Sequence, residues 1–141
     1  MPISGAEAIE RLVLDTSAYA AMCRGHKDVL DWVASSNVVV MSVIVLGELE
    51  AGFEMGNRAR ANRVALADFL GEPSVHELPA SRSTARHYGE VFCQLRAAGT
   101  PLPVNDIWIA AATLDCGGHL LTLDRDFARI DNLSSTVLRI G

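Results

Sequence analysis

The chain has 141 residues, of which 50% are hydrophobic and 21% are charged. This length and apolar content fit one domain, residues 1–141, and exclude an intrinsically disordered chain. Seventeen acidic residues against twelve basic ones give a net charge of −5, which argues against general electrostatic binding to nucleic acids. The longest apolar run, residues 38–46, is far shorter than the roughly 20 residues of a membrane-spanning helix. Because the N-terminus shows no apolar signal segment, we expect a cytoplasmic protein.

The predicted elements alternate between strands and helices. The strands are residues 11–14, 38–41, 75–78, 119–123 and 136–140. The helices are one from Ala18, residues 26–34, one from Ser42 to about Gly56, and residues 58–70, 80–98, 105–116 and 125–130. Pro101 and Pro103 indicate a loop, and Gly117 and Gly118 end the helix before the fourth strand. This alternation predicts an α/β fold, with a mainly parallel sheet covered by helices on both faces.

Cysteine and histidine give little indication of a metal site. The chain has three cysteines without a C-x-x-C pair, which argues against a disulfide framework or a zinc knuckle. We expect Cys23, Cys93 and Cys116 to be buried thiols. The four histidines lack the H-E-x-x-H spacing of zinc hydrolases. Carboxylates therefore remain as the candidate chemistry.

Acidic residues follow the predicted strands where a ligand site is expected. Asp15 ends the first strand, Glu48 lies on the helix after the second, and Asp124 follows the strand 119–123. Asp106 lies in the first turn of its own helix, and Asp126 is a fifth candidate. In open parallel sheets, ligands bind outside the carboxyl ends of the strands. We therefore expect these acids to meet at one edge of the sheet.

Each acid alone has a simpler explanation. Asp15, Asp106 and Asp124 could serve merely as helix caps, and Glu48 could lie on a solvated surface. Together, however, clustered carboxylates raise one another's pKa and destabilise a fold unless a cation neutralises them. Oxygen ligands without His or Cys favour Mg²⁺ or Mn²⁺, ions that commonly act on phosphate esters. Polar side chains able to orient the acids are Thr16, Ser17, Asn105 and Thr122.

Four segments together resemble the motifs of a known family. They are LDTSAY at 14–19, GELEAG at 47–52, NDIWIAA at 105–111 and LTLDRDF at 121–127. In this order they resemble the motifs of PIN-domain ribonucleases, and the whole chain is similar to the VapC toxins of bacterial type II toxin-antitoxin modules. The resemblance implies a PIN-like three-layer α/β/α fold and a Mg²⁺-dependent endoribonuclease that arrests growth by cutting RNA.

The resemblance also assigns roles to residues. It makes Asp15 and Asp106 the principal metal ligands, with Glu48 and Asp124 binding directly or through water. Asp126 falls at a more variable position. It further implies a homodimer and a VapB-type antitoxin, whose C-terminal segment covers the site. Residues 20–23 and 43–53 are the candidates for the groove that receives that antitoxin, and packing in the core explains the same apolar residues equally well. Residues 1–10 form an N-terminal extension without an assigned role.

Other functions are weighed against this one. A phosphotransferase of the haloacid dehalogenase type needs D-x-D after the first strand, where this chain has Ser17, and a late Lys, whereas Lys27 is the only lysine. A response-regulator receiver domain fails for the same lack of a late Lys. A non-catalytic PIN-like module that binds an antitoxin remains as the alternative.

Overall fold

The computed structural model describes residues 9–140, and within this range a parallel sheet forms the centre of the fold. Its strands are β1 (Arg11–Leu14), β2 (Val38–Ser42), β3 (Val75–Leu78), β4 (His119–Thr122) and β5 (Ser135–Val137). They lie in the order β3-β2-β1-β4-β5, and all paired strands are parallel. The chain therefore builds the sheet outward from β1 in one direction and then returns to β1 to build the other side.

Helices cover the sheet in a three-layer α/β arrangement. They are α1 (Thr16–Cys23), α2 (Lys27–Ser35), α3 (Val43–Met55), α4 (Ala59–Leu70), α5 (Arg82–Ala97), α6 (Val104–Cys116) and a 3₁₀ helix (Arg125–Arg129). The predicted α/β class is confirmed. No helix within residues 9–140 combines the length and the apolar content needed to cross a membrane.

The central strand is apolar because neighbours cover both of its faces. Leu12, Val13 and Leu14 point alternately to the two faces of the sheet and are all completely buried, while the two edges of β1 pair with β2 and β4. An uninterrupted apolar run is typical of such a strand, whereas a half-exposed strand alternates. The strand predicted at 136–140 is Ser135–Val137 in the structure. Leu138 leaves the strand, although its N–H still donates to the carbonyl of Thr122.

The turn from α6 into β4 depends on two glycines. Gly117 ends α6 with φ of 65°, a left-handed conformation that glycine adopts at little cost. A Cβ atom on Gly118 would lie 2.7 Å from Cγ2 of Val13 and 3.2 Å from the carbonyl oxygen of Arg11. The absence of a side chain at Gly118 thus lets β4 lie beside β1, which brings the ends of these two strands together.

The expectation of buried cysteines is wrong. Cys23 and Cys93 are exposed, and Cys116 is partly buried. Cys23 is the last residue of the short helix α1, and Cys93 lies on the outer face of α5, whose buried residues are Thr84, Val91 and Leu95. The preference of cysteine for the core does not overcome the position of these residues on their helices.

Candidate active site

Asp15 is fixed where β1 passes into α1. Its carboxylate caps α1: Oδ1 accepts from the N–H of Ala18 at 2.8 Å and from the hydroxyl of Ser17 at 2.7 Å. Oδ2 accepts from the hydroxyl of Thr122, at the end of β4, at 2.5 Å. Asp15 is only 4% exposed. This cap starts α1 at Thr16, two residues before the predicted start at Ala18.

The ends of β1 and β4 are joined by further hydrogen bonds. The hydroxyl of Ser17 accepts from the N–H of Leu123 at 3.0 Å, and that of Thr122 accepts from the N–H of Asp124 at 2.9 Å. Asp124 in turn accepts from the N–H of Asp126 at 2.9 Å and caps the 3₁₀ helix. The same two hydroxyls that orient Asp15 therefore hold the backbone of Leu123 and Asp124 near it.

Glu48 connects three helices at this edge of the sheet. Its Oε1 accepts from the hydroxyl of Thr16 on α1 at 2.5 Å, and its Oε2 accepts from the side-chain amide of Asn105 on α6 at 3.2 Å. The α3 helix that carries it is capped by Ser42, whose hydroxyl accepts from the N–H of Val45. Glu48 is partly buried, whereas an isolated glutamate on this helix would be expected on the solvated surface.

Asp106 is the point where the charges of the other acids converge. It lies in the first turn of α6, and burial together with the charges of four other acids raises its pKa from 3.8 to about 6. Those acids are, from the largest effect to the smallest, Asp124, Glu48, Asp15 and Asp126. Burial also raises the pKa of Asp15, against the hydrogen bonds that favour its charged form. We call Asp15, Glu48, Asp106 and Asp124 the acid cluster.

No cation of the described chain neutralises the acid cluster. Among residues 9–140, none of its four members has a Lys, Arg or His partner within 4.0 Å, whereas Asp126 pairs with Arg129 at 3.3 Å. Hard oxygen donors with uncompensated negative charge suit a divalent ion such as Mg²⁺. In this part of the chain, no three His, Cys, Asp or Glu side chains are already arranged to hold a metal ion. Mg²⁺ usually retains several waters and takes one or two carboxylates, so the donor set fits such an ion.

Four of the five predicted supporting residues contact the acid cluster through hydroxyl or amide groups, and the fifth, Asp126, donates its backbone N–H to Asp124. Thr16 and Asn105 donate to Glu48, while Ser17 and Thr122 donate to Asp15. The sequence indicated these residue types but not which acid each would hold. The ion pair of Asp126 with Arg129 was not predicted, although their spacing of three residues within the 3₁₀ helix could have indicated it.

Comparison with known proteins identifies the family. A family model described as "PIN domain" matches residues 12–133. The chain belongs to the PIN-domain family. It is 30% identical over 131 residues to ribonuclease VapC5 of Mycobacterium tuberculosis, a match that covers 91% of this chain and 94% of that relative. It is 29% identical over 126 residues to ribonuclease VapC2 of Rickettsia felis, covering 86% of this chain and 92% of the relative.

A solved structure of similar fold extends this result. It is VapBC2 from Rickettsia felis bound to a DNA fragment from their promoter, with a TM-score of 0.79 and 27% identity, covering 90% of this PIN-domain chain and 98% of that one. The predicted resemblance to PIN domains and VapC proteins, and the predicted PIN-like fold, are confirmed.

Proposed function

We propose that this PIN-domain protein is a Mg²⁺-dependent endoribonuclease toxin of a VapBC-type module. The observation that carries the proposal is the acid cluster. Its four carboxylates come from separate segments and have no basic partner within 4.0 Å among residues 9–140. Burial and the charges of the other three members, together with Asp126, raise the pKa of Asp106 to about 6. Two relatives that match over most of their length carry the name ribonuclease VapC. Both facts support a nuclease that cuts RNA phosphodiester bonds.

Asp15 and Asp106 would hold the Mg²⁺ ion, with Glu48 and Asp124 binding directly or through water. When bound, the ion would supply a Lewis acid and lower the pKa of a coordinated water. Mn²⁺ has the same ligand preference and could substitute. The uncompensated charge of the four carboxylates supports this assignment, since a bound dication would relieve their mutual repulsion.

The neutral residues around the acids would keep them in position. Ser17, Thr122 and the N–H of Ala18 fix both oxygens of Asp15, and they favour its charged form despite burial. Thr16 and Asn105 hold the two oxygens of Glu48. Because these partners are hydroxyl and amide groups, they orient the carboxylates without neutralising them. Asp126, whose side chain pairs with Arg129, would act on the cluster through its charge and through its backbone N–H, which donates to Asp124.

A VapB-type antitoxin is the proposed partner. An apolar groove of about 420 Å³ lies between α1, α3 and α4, and its lining includes Tyr19, Ala20, Cys23, Leu49 and Phe53. Ala20, Cys23, Leu49 and Phe53 fall within the segments expected to receive an antitoxin helix, and Tyr19 directly precedes the first of them. A basic side chain of the same antitoxin could enter the acid cluster, where a guanidinium would bind the carboxylates and exclude metal and RNA. We also propose a homodimer, by resemblance to the family.

Cleavage of RNA by the purified chain tests the nuclease. We expect cleavage with Mg²⁺ and none with EDTA, and mapping of the new 5′ ends would reveal the target. Asp106→Asn should abolish cleavage, whereas Asp68→Asn, a change of an exposed aspartate on α4, should not. Cleavage that is equal in EDTA, or that survives Asp106→Asn, would reject the proposed site. A folded, metal-supplied chain that cuts no RNA but binds its antitoxin would be the non-catalytic module.

A further inference from the structure

Two neighbouring surface cavities collect basic side chains from distant parts of the chain. The first, of about 590 Å³, is lined by Arg24 from the α1–α2 connection, by Lys27 at the start of α2 and by Arg139 from beyond β5. The second, of about 600 Å³, is lined by Arg125 and Arg139. Arg139 and Ile140 line both cavities, so the two adjoin at these residues. Arg125 directly follows Asp124 of the acid cluster.

His26 brings the separate segments of the first cavity together. Its Nδ1 accepts from the N–H of Val29 at the start of α2, so Nε2 carries the proton of the neutral ring and donates to the carbonyl of Arg139 at 2.9 Å. This bond joins residues 113 positions apart. The histidine thus connects the backbone beyond β5 to the loop that carries Arg24.

Three of these basic side chains have no acidic partner. Arg24, Arg125 and Arg139 are exposed, and within residues 9–140 none lies within 4.0 Å of a carboxylate. Lys27, by contrast, pairs with Asp31 at 2.7 Å. Asp28 contributes one negative charge to the first cavity, while the lining of the second includes no acid. In a chain of net charge −5, this is a local concentration of free positive charge.

We propose that Arg125, Arg139 and Arg24 form a phosphate track that binds the RNA backbone on one side of the bond being cut. The inference rests on the proposed nuclease function and adds the place where the substrate is held. Arg125 directly follows Asp124 of the acid cluster in the chain, so an RNA strand leaving the cluster would meet this arginine first. Arginine suits phosphate because its planar guanidinium can donate two parallel hydrogen bonds. Because the chain as a whole repels a polyanion, local cations have to provide the attraction.

The salt dependence of RNA binding tests the track. Binding of a fluorescent single-stranded RNA would be measured in the Asp106→Asn protein, which should bind without cutting. Addition of Arg24→Gln and Arg139→Gln should weaken binding about tenfold and reduce the slope of log Kd against log salt by about 1.4, since each phosphate contact to a single strand contributes about 0.7. The matched control, Arg60→Gln with Arg82→Gln, removes two exposed arginines outside both cavities. It should leave the slope unchanged.

The outcomes separate the track from the nuclease. If the unaltered chain cuts RNA but the Arg24/Arg139 variant keeps the slope of the control, the track is wrong and the nuclease remains. If the unaltered chain neither cuts nor binds RNA, both proposals fall. A variant that binds RNA normally but loses affinity for poly-glutamate would identify an acidic peptide as the occupant and overturn the RNA track. Each single variant, Arg24→Gln or Arg139→Gln, should give about half of the slope change, whereas a folding defect would not scale with the number of charges removed.

Discussion

Helix α3 carries glutamates in two different environments, and the difference between them shows what distinguishes the acid cluster from an ordinary charged surface. Glu48 faces the acid cluster and is held by Thr16 and Asn105, both neutral. Glu50 and Glu54 lie on the exposed side of the same helix, and Arg63 of α4 pairs with both. Acids are crowded in both regions, but within residues 9–140 only the acids of the second region pair with a cation. Uncompensated charge, rather than the number of acids, marks the candidate site.

The largest expected effect is a loss of RNA cleavage on substitution of Glu48 but not of Glu50. Glu48→Gln retains the shape of the side chain but removes its charge, so RNA cleavage should fall at least about 100-fold, the upper end of the loss expected when a partner in a metal site is removed. Glu50→Gln removes the same charge two residues away and should leave cleavage within about twofold, because surface charges are screened. Initial cleavage rates at saturating Mg²⁺ measure both. Equal losses would mean that the whole acidic face of α3, rather than Glu48 specifically, serves the reaction.

The acid cluster should also lower the free energy of unfolding of the metal-free protein. The pKa of Asp106 in the folded protein, about 6, lies above its ordinary value of 3.8, so the folded state binds a proton more tightly than the unfolded state. The charge of Asp106 therefore destabilises the fold fully above about pH 6, and the cost disappears below pH 3.8, where both states are protonated. Because Asp106 is only partly buried, water reduces the effect, and we expect Asp106→Asn to raise the free energy of unfolding by about 1–2 kcal/mol at pH 7.

Urea unfolding in EDTA at pH 7 and at pH 3.5 or below would measure this gain and its loss. The control is Asp68→Asn on the exposed surface of α4, which should change stability equally little at both values. If Asp106→Asn destabilised the metal-free protein at pH 7, the repulsion argued for the acid cluster would be absent. The same substitution is expected to stop cleavage, so a gain of stability with a loss of activity would be the signature of the cluster.

The position of the acid cluster could be predicted from sequence because parallel strands end at one edge of a sheet. The apolar run Leu12–Leu14 indicated a central strand, and Asp15 and Asp124 follow strands that are direct neighbours in the sheet. The residue types of Thr16, Ser17, Asn105 and Thr122 were enough to predict that they would support acids. Which acid each of these residues contacts could not be predicted, because that depends on how α1, α3 and α6 pack at this edge of the sheet.

Other features depend on tertiary packing that local patterns do not contain. Arg63 and its two glutamate partners come together only because α4 packs against α3. The sequence around Arg63 is that of a solvated helix and does not indicate these ion pairs. Cys93 is exposed although cysteine is apolar, because it lies on the outer face of α5. The sequence does not indicate the contacts of His26, because its two partners, Val29 and Arg139, lie 3 and 113 positions away along the chain.

The smallest expected effect comes from breaking the charged surface of α3 and α4. The side chain of Arg63 is 42% exposed and its partners Glu50 and Glu54 are 49% and 71% exposed, so solvent and salt weaken both ion pairs. Arg63→Gln should lower the melting temperature slightly at low salt, and the difference from the unaltered protein should vanish in about 1 M NaCl, where the screening length is about 3 Å.

Arg60→Gln, on the same helix without an ion pair among the described residues, controls for the lost charge. Cleavage should be unaffected by either change. A loss of cleavage in Arg63→Gln comparable to that of Glu48→Gln would mean that the two sides of α3 act as one electrostatic unit, and that neutralised acids contribute to the site as much as free ones.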